Sequence, residues 1–170
     1  MNILALFRSI RVFALDIDGV LTDGQLLVTE TGGLLRRMNV KDGFALQWAV
    51  KQGYEVVVIS GGNAEAVKIR LHKLGLSKVF IGVRDKAALL EQLMREHGWQ
   101  KEEVLYMGDD IPDMDCLNLC GLPACPGDAV ADIRARCTYV SPFEGGKGCV
   151  RDVMEKVLKL RGDWQEEEAS

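Results

Sequence analysis

The stretch "DIDGVLT", Asp16 to Thr22, sets two carboxylates two positions apart, at the end of a short apolar run, Val12 to Leu15. Asp23 follows at once, before Gly24. Much later, "GDDIPD" places Asp109, Asp110 and Asp113 behind a second apolar run, "EVLYM". If Asp16 and Asp109 end neighbouring strands, their carboxylates lie about 4 Å apart and repel by roughly 4 kcal/mol at an effective dielectric near 20. Protonation or a cation must relieve that repulsion. A hard divalent ion suits an all-carboxylate set, and Mg2+ takes one or two carboxylates together with substrate phosphate oxygens. Acids behind strands also cap helices. That plain role fits Asp110 or Asp113 taken singly, and a turn role fits Asp23, but neither explains the whole set.

Such residues need a frame. "YEVVVIS" is a β-branched strand ending at Ser60, and "KVFIGV" and "LPACPG" hold further short strands. Between them, "KDGFALQWAVKQG", "NAEAVKIRLHKLG" and "DKAALLEQLMREHG" carry apolar residues at helical spacing and close on glycine. Asn63 is the expected cap of the second helix and Pro112 opens the helix of "PDMDCLNLCG". "QLLVTETGGLLRRMNV" reads as a hairpin around Glu30 to Gly33. "GCVRDVMEKVLKLRG" forms the last helix. Strands alternating with helices predict an α/β fold: a doubly wound, Rossmann-like parallel sheet covered on both faces. Ligands in such sheets bind beyond the carboxyl ends of the strands, where Asp16, Asp18, Ser60, Asp109 and Asp110 all stand. One domain is expected over residues 1–162, with an acidic tail over 163–170 in which Trp164 is an odd residue to leave in water.

Composition narrows the classes further. The chain has 170 residues, 48% hydrophobic and 27% charged, as in ordinary globular domains. A net charge of -4 argues against a nucleic-acid partner, whose footprint would be basic. No apolar run approaches the roughly 18 residues a membrane span needs. The N-terminal "MNILALFRSIRVFALD" has its arginines after the apolar residues, unlike a signal peptide. It reads as a first strand with a short lead-in, and the cytoplasm is the expected compartment. The five cysteines are odd in number and form no C-x-x-C pair, so reduced, buried thiols are expected.

"DIDGVLT" resembles the first motif of the haloacid dehalogenase phosphatase superfamily, D-x-D-G-[TV]-[LV]-T. Three more motifs follow in order: Ser60 after "VVVI", Lys86 in "RDKAALL", and the acids of "GDDIPD". The resemblance implies that Asp16 is a nucleophile toward phosphorus and forms an aspartyl-phosphate, while Asp18 protonates the leaving alkoxide and later activates water. It implies that Ser60, Gly61 and Lys86 hold the phosphoryl oxygens. Mg2+ is expected on Asp16, the Asp18 backbone carbonyl and Asp109, with Asp110 and Asp113 orienting Lys86 and metal-bound water.

Residues 19–59 and 61–85, all that lies between the first three motifs, leave no room for an inserted cap domain. This capless layout, with a hairpin after the first motif, looks like the 3-deoxy-D-manno-octulosonate 8-phosphate phosphatase family, as do "NVKDGFALQ" and "GGKGCVRDVMEKVL". That family implies a homotetramer whose neighbouring subunits cover each other's sites, and a keto sugar acid phosphate as substrate. A nine-carbon sugar acid 9-phosphate is the alternative substrate, and a silent oligomerisation module on the same fold is the non-enzyme alternative. Arg70, Lys73, Lys147 and Arg151 are the candidate partners for the substrate carboxylate. Where the family often carries an arginine or a glutamate after the second motif, this chain has Gly62, which offers a sugar no side chain.

Overall fold

A computed structural model describes residues 2–164. Six parallel strands form one sheet in the order β5-β4-β1-β6-β7-β8. They are β1 (Val12–Leu15), β4 (Glu55–Ile59), β5 (Lys78–Phe80), β6 (Val104–Met107), β7 (Leu122–Cys125) and β8 (Tyr139–Val140). The hairpin is separate: β2 (Leu27–Val28) pairs antiparallel with β3 (Leu34–Leu35). The helices are α1 (Ile3–Ser9), α2 (Val40–Lys51), α3 (Glu65–Lys73), α4 (Lys86–His97), α5 (Met114–Leu119), α6 (Ala131–Arg136) and α7 (Cys149–Arg161).

The pleat explains the layers. Successive strand residues face opposite sides, so Phe13 and Leu15 of β1, Val56 and Val58 of β4, and Leu105 and Met107 of β6 enter one core with residues of α2, α3 and α7. Val12, Ala14, Val57, Ile59, Val104 and Tyr106 enter the other, against α4, α5 and α6. Because both faces are covered, β1, β4 and β6 read as continuous apolar runs rather than alternating ones.

β1 is central, paired with β4 on one side and β6 on the other. The chain winds outward from β1 to β5, then returns to place β6 on the opposite flank of β1. The crevice beyond the carboxyl ends of β1 and β6 is therefore the place where winding reverses, the usual ligand position in open α/β sheets.

Two local expectations differ from what is observed. The N-terminal segment is a helix, not a strand lead-in: Asn2 accepts a hydrogen bond from the Leu4 N–H as cap. Its Phe7 and Ile10 are buried, with Ile3 and Leu6 packed alongside, a spacing of one helical face. The cap position of α3 is Ala64, without a side-chain bond. Asn63 lies against Gly82 instead, 2.6 Å from where a Cβ there would sit.

The chain's end is anchored as far as it is described. The Trp48 indole donates to the Asp163 carbonyl, and the Asp163 carboxylate meets the Tyr54 hydroxyl. Trp164 packs edge-on to Phe44. The rest of the expected acidic tail, residues 165–170, lies outside the described residues. Among those described, no helix is long and apolar enough to cross a membrane.

Candidate active site

Asp16 directly follows β1 and is buried. Its Oδ1 accepts from the Ile17 N–H at 2.8 Å and from Lys86 Nζ at 3.0 Å. No hydrogen bond within the described residues falls on Oδ2, which leaves one oxygen of the pair open. The turn after Asp16 is pinned by buried Thr22, whose hydroxyl accepts from the N–H groups of Gly19 and Gly24 at 3.2 Å each. Gly19 is the only residue type that fits its place. Its φ is +86°, and a Cβ there would meet Asp109 Oδ2 at 1.8 Å. The spacing Asp-x-Asp-Gly-x-x-Thr thus has a mechanical reading: Thr22 closes the turn and Gly19 lets the β6 acid come down onto it.

Lys86 opens α4, where the helix dipole opposes a positive charge. It is held there by Asp16 and by Asp113, whose Oδ1 accepts from Nζ at 2.9 Å. Burial works against the Lys86 ammonium, but the two carboxylates outweigh it and raise its pKa above the ordinary lysine value. Asp113 is saturated: Oδ1 also accepts from the buried Tyr106 hydroxyl at 2.7 Å, and Oδ2 from the N–H groups of Asp109 and Asp110. Buried Ser60 stands behind β4, with its hydroxyl accepting from the Gly62 N–H at 3.3 Å.

These residues share one cleft of about 300 Å³, lined by Asp16, Asp18, Ser60, Gly61, Gly62, Lys86, Asp109, Asp110 and Asp113, with Gly24 and Pro112. Larger hollows lie elsewhere on the surface, but none gathers this chemistry. Carboxylate oxygens of Asp16, Asp109 and Asp113 come within 4.8 Å of one another. Burial, then the neighbouring Asp113, pushes Asp16 up to about 7. Burial, then Asp16, does the same to Asp109, also about 7. Carboxyls so destabilised as anions are a site short of positive charge. Asp16 and Asp109 keep the oxygens to hold a divalent ion. Asp113 does not, because its lone pairs are committed to Lys86, Tyr106 and two backbone N–H groups.

The four basic candidates fall outside this cleft. Arg70 lines a groove of about 600 Å³ between α3 and the hairpin. Lys73 is exposed at the end of α3. Lys147 is exposed and ion-paired with Glu144 at 3.3 Å. Arg151 pairs with Glu155 at 3.3 Å and lies over the rings of Phe44 and Trp164. One basic residue that sequence reasoning passed over does reach the site. Arg36, just past β3, donates from Nε to Asp18 Oδ1 at 2.7 Å. No alternation in "LLRRMNV" singles it out, because Leu34 and Leu35 are both exposed and Arg36 lies beyond the strand.

Residues 79–151 match the family model of haloacid dehalogenase-like hydrolases. The chain is 32% identical to the 3-deoxy-D-manno-octulosonate 8-phosphate phosphatase of Shigella flexneri, over 97% of this chain and 88% of that protein. It is 33% identical to the same enzyme of Salmonella typhi, over 94% and 85%. The chain belongs to this phosphatase family. The crystal structure of the Yersinia pestis phosphatase superposes with a TM-score of 0.91 at 29% identity, covering 94% of this chain and 86% of that one. The Moraxella catarrhalis phosphatase, solved with magnesium, phosphate and 3-deoxy-D-manno-octulosonate, gives 0.88 at 32% identity, covering 93% and 91%.

The raised carboxyl pKa values carry a sign that can be measured. Folded Asp16 and Asp109 hold protons up to about 7 that an unfolded chain, at 3.8, releases. The metal-free protein is therefore expected to lose stability as pH rises between those values. Mg2+ competes with the same protons, so its affinity should weaken below pH 7, by about tenfold per pH unit for each proton displaced. Calorimetric Mg2+ titrations across this range check it. A pH-independent affinity would show that both acids are already ionised.

Proposed function

We propose that this chain is a Mg2+-dependent phosphomonoesterase that releases phosphate from 3-deoxy-D-manno-octulosonate 8-phosphate. The observation that carries the reading is the buried Asp16–Lys86–Asp113 array facing Asp18, Ser60 and Asp109 across one cleft. The named phosphatases it resembles favour the eight-carbon substrate over a nine-carbon one.

In this mechanism Lys86, Ser60 and the N–H groups of the Gly61 turn hold the phosphoryl oxygens and spread their charge. Asp16 attacks phosphorus, and the bond to the ester oxygen breaks as an aspartyl-phosphate forms. Asp18 gives its proton to the departing alkoxide. It then takes one from water, which attacks the aspartyl-phosphate, releases phosphate and restores the Asp16 carboxylate and the protonated Asp18 carboxyl. Mg2+, when bound, would be held by Asp16, Asp109 and the Asp18 backbone carbonyl and would supply positive charge against the repulsion between a carboxylate and a phosphate dianion. Asp113 orients Lys86 and the Asp109 and Asp110 backbone, while Asp110 accepts from the Ile111 N–H and caps the turn beside them. Arg70 lines the groove beside the cleft, and Lys73 lies one turn further along α3. We assign the substrate carboxylate to this pair, and place no contact on Lys147 or Arg151 within the chain.

Phosphate release from a panel of eight- and nine-carbon keto sugar acid phosphates, with and without Mg2+, tests the reading. Absence of Mg2+-dependent release from every member would favour a silent module.

Assembly belongs to the same proposal. Leu27 and Val28 are 66% and 65% exposed, and Leu26, Leu34 and Leu35 stand out beside them. A two-stranded hairpin with an apolar surface is marginal alone in water, so we propose a cytoplasmic homotetramer in which hairpins are covered and neighbours wall the open clefts. Leu27→Lys with Leu35→Lys is expected to dissociate it and to lower kcat/KM for the sugar acid phosphate by about tenfold or more, with less effect on a small aryl phosphate. Light scattering beside the two assays reads this out. A fully active monomer would overturn it.

A further inference from the structure

Asp18 has one recognised side-chain partner among the described residues, Arg36, and it comes from the hairpin rather than from the catalytic loops. Nε donates to Oδ1 at 2.7 Å, and Nη2 reaches Oδ2 only at 3.5 Å. The guanidinium is held from both sides in sequence. Before it, Leu34 and Leu35 pair with β2; after it, Met38 bridges to Thr22 of the catalytic turn. Its side chain is 10% exposed, its unpaired nitrogens keep contact with solvent, and among the described residues its only hydrogen-bond acceptor is Asp18. An arginine carries five donors in a fixed fork, and with its Nε held on Asp18 the fork is fixed in place while its solvent-facing donors stay open to an acceptor that displaces water.

Gly62 shows where that acceptor comes from. A Cβ there would lie 3.4 Å from Asp18 Oδ2, 3.7 Å from Arg36 Nη2 and 3.9 Å from Ser60 Oγ. Its φ is not in the left-handed region, so the backbone does not require glycine. What glycine leaves is the space of one side chain beside Asp18 and Arg36, and Arg36 in turn lines a groove of about 600 Å³ with Asn63, Ala64 and Arg70. The alcohol that departs past Asp18 has this space beside it.

We propose that Arg36 is a specificity-determining residue that recognises the leaving group: its free N–H groups bind hydroxyl oxygens one or two carbons from the ester oxygen, as the alcohol threads past Gly62 into the groove. The preferred class is then a polyhydroxylated alkyl phosphate, over a plain alkyl phosphate of the same length. The inference rests on the phosphatase reading and deepens it.

The test compares kcat/KM, which covers steps only through departure of the alcohol, for a linear polyol phosphate and an n-alkyl phosphate of equal carbon number. p-Nitrophenyl phosphate serves as the third substrate. Its Mg2+-dependent hydrolysis by wild-type enzyme checks the phosphatase reading independently. Wild type is expected to favour the polyol phosphate, and Arg36→Met to shrink the polyol-to-alkyl ratio by about 10- to 100-fold, the scale of charge-assisted hydrogen bonds. Arg36→Lys should fall between them. A structural role would lower both substrates together and leave the ratio alone. A ratio unchanged in Arg36→Met overturns the assignment, and should that variant not fold, an unchanged ratio in Arg36→Lys does so.

Discussion

Asp16→Asn is expected to remove turnover, lowering kcat by roughly four orders of magnitude or more, the scale at which loss of a covalent nucleophile is felt. An amide nitrogen or oxygen is a poor nucleophile toward phosphorus and a weaker ligand for a hard cation than a carboxylate. The fold should survive. Asp16 is a buried acid whose anion is disfavoured by its surroundings, with a pKa pushed up to about 7. A neutral isostere removes the repulsion with Asp109 and Asp113 and keeps an oxygen for the Ile17 N–H. Above pH 7 the metal-free variant should therefore be at least as heat-stable as wild type, while dead as a catalyst. Calorimetry and an aryl phosphate assay on the same preparation decide the matter. Activity within tenfold of wild type would remove Asp16 from the nucleophile's role.

The second large effect is expected at Lys86, and it falls on stability as well as on rate. Lys86 is buried and joined to two buried acids at 3.0 and 2.9 Å. Lys86→Met would fill similar space but leave Asp16, Asp109 and Asp113 without their shared cation. Breaking a buried pair by deleting one partner costs about 3–5 kcal/mol. That cost should be greatest above pH 7, where Asp16 and Asp109 must ionise, and should shrink on acidification as those two take up protons. Mg2+ should restore part of the lost stability without restoring rate, because a cation on Asp16 and Asp109 does not replace the ammonium on the phosphoryl oxygens. Thermal unfolding with and without Mg2+ separates these contributions. A melting temperature that ignores both pH and Mg2+ would mean the acids are not the source of the strain.

The gathering of the acids, Ser60 and Lys86 in one cleft was legible in the sequence because its parts are local. Asp16 and Ser60 directly follow apolar strands and Asp109 follows one after Gly108, and a parallel sheet brings such ends together. Lys86 was legible as the first residue of a helix. What stayed hidden depended on contacts between distant segments. Arg36 meets Asp18 across a hairpin whose fold-back angle no periodicity encodes. Arg151 carries the charge expected of a ligand partner, yet it lies between Phe44 and Trp164, since α7 packs on α2 and the chain's end returns over both. Trp164, odd for a tail, is accounted for by the same packing. The N-terminal helix was legible in principle: Asn2 as cap and Ile3, Leu6, Phe7 and Ile10 on one face. Its apolar run, continuous with β1 by composition, concealed the change of period.

The central place of β1 bears on how the enzyme comes into being. Val12 pairs with Glu55 on one edge and Val104 on the other, so the strand that leads into Asp16 is completed by a segment made when well over half the chain exists. Contacts of such long sequence separation form late and slowly. A ribosome-bound chain ending before β6 would hold Asp16 at the margin of a half-sheet, with an unpaired edge inviting other chains. The same insertion of β6 that closes this edge delivers Asp109 to Gly19. Catalytic competence and protection from aggregation should therefore arise in a single folding event.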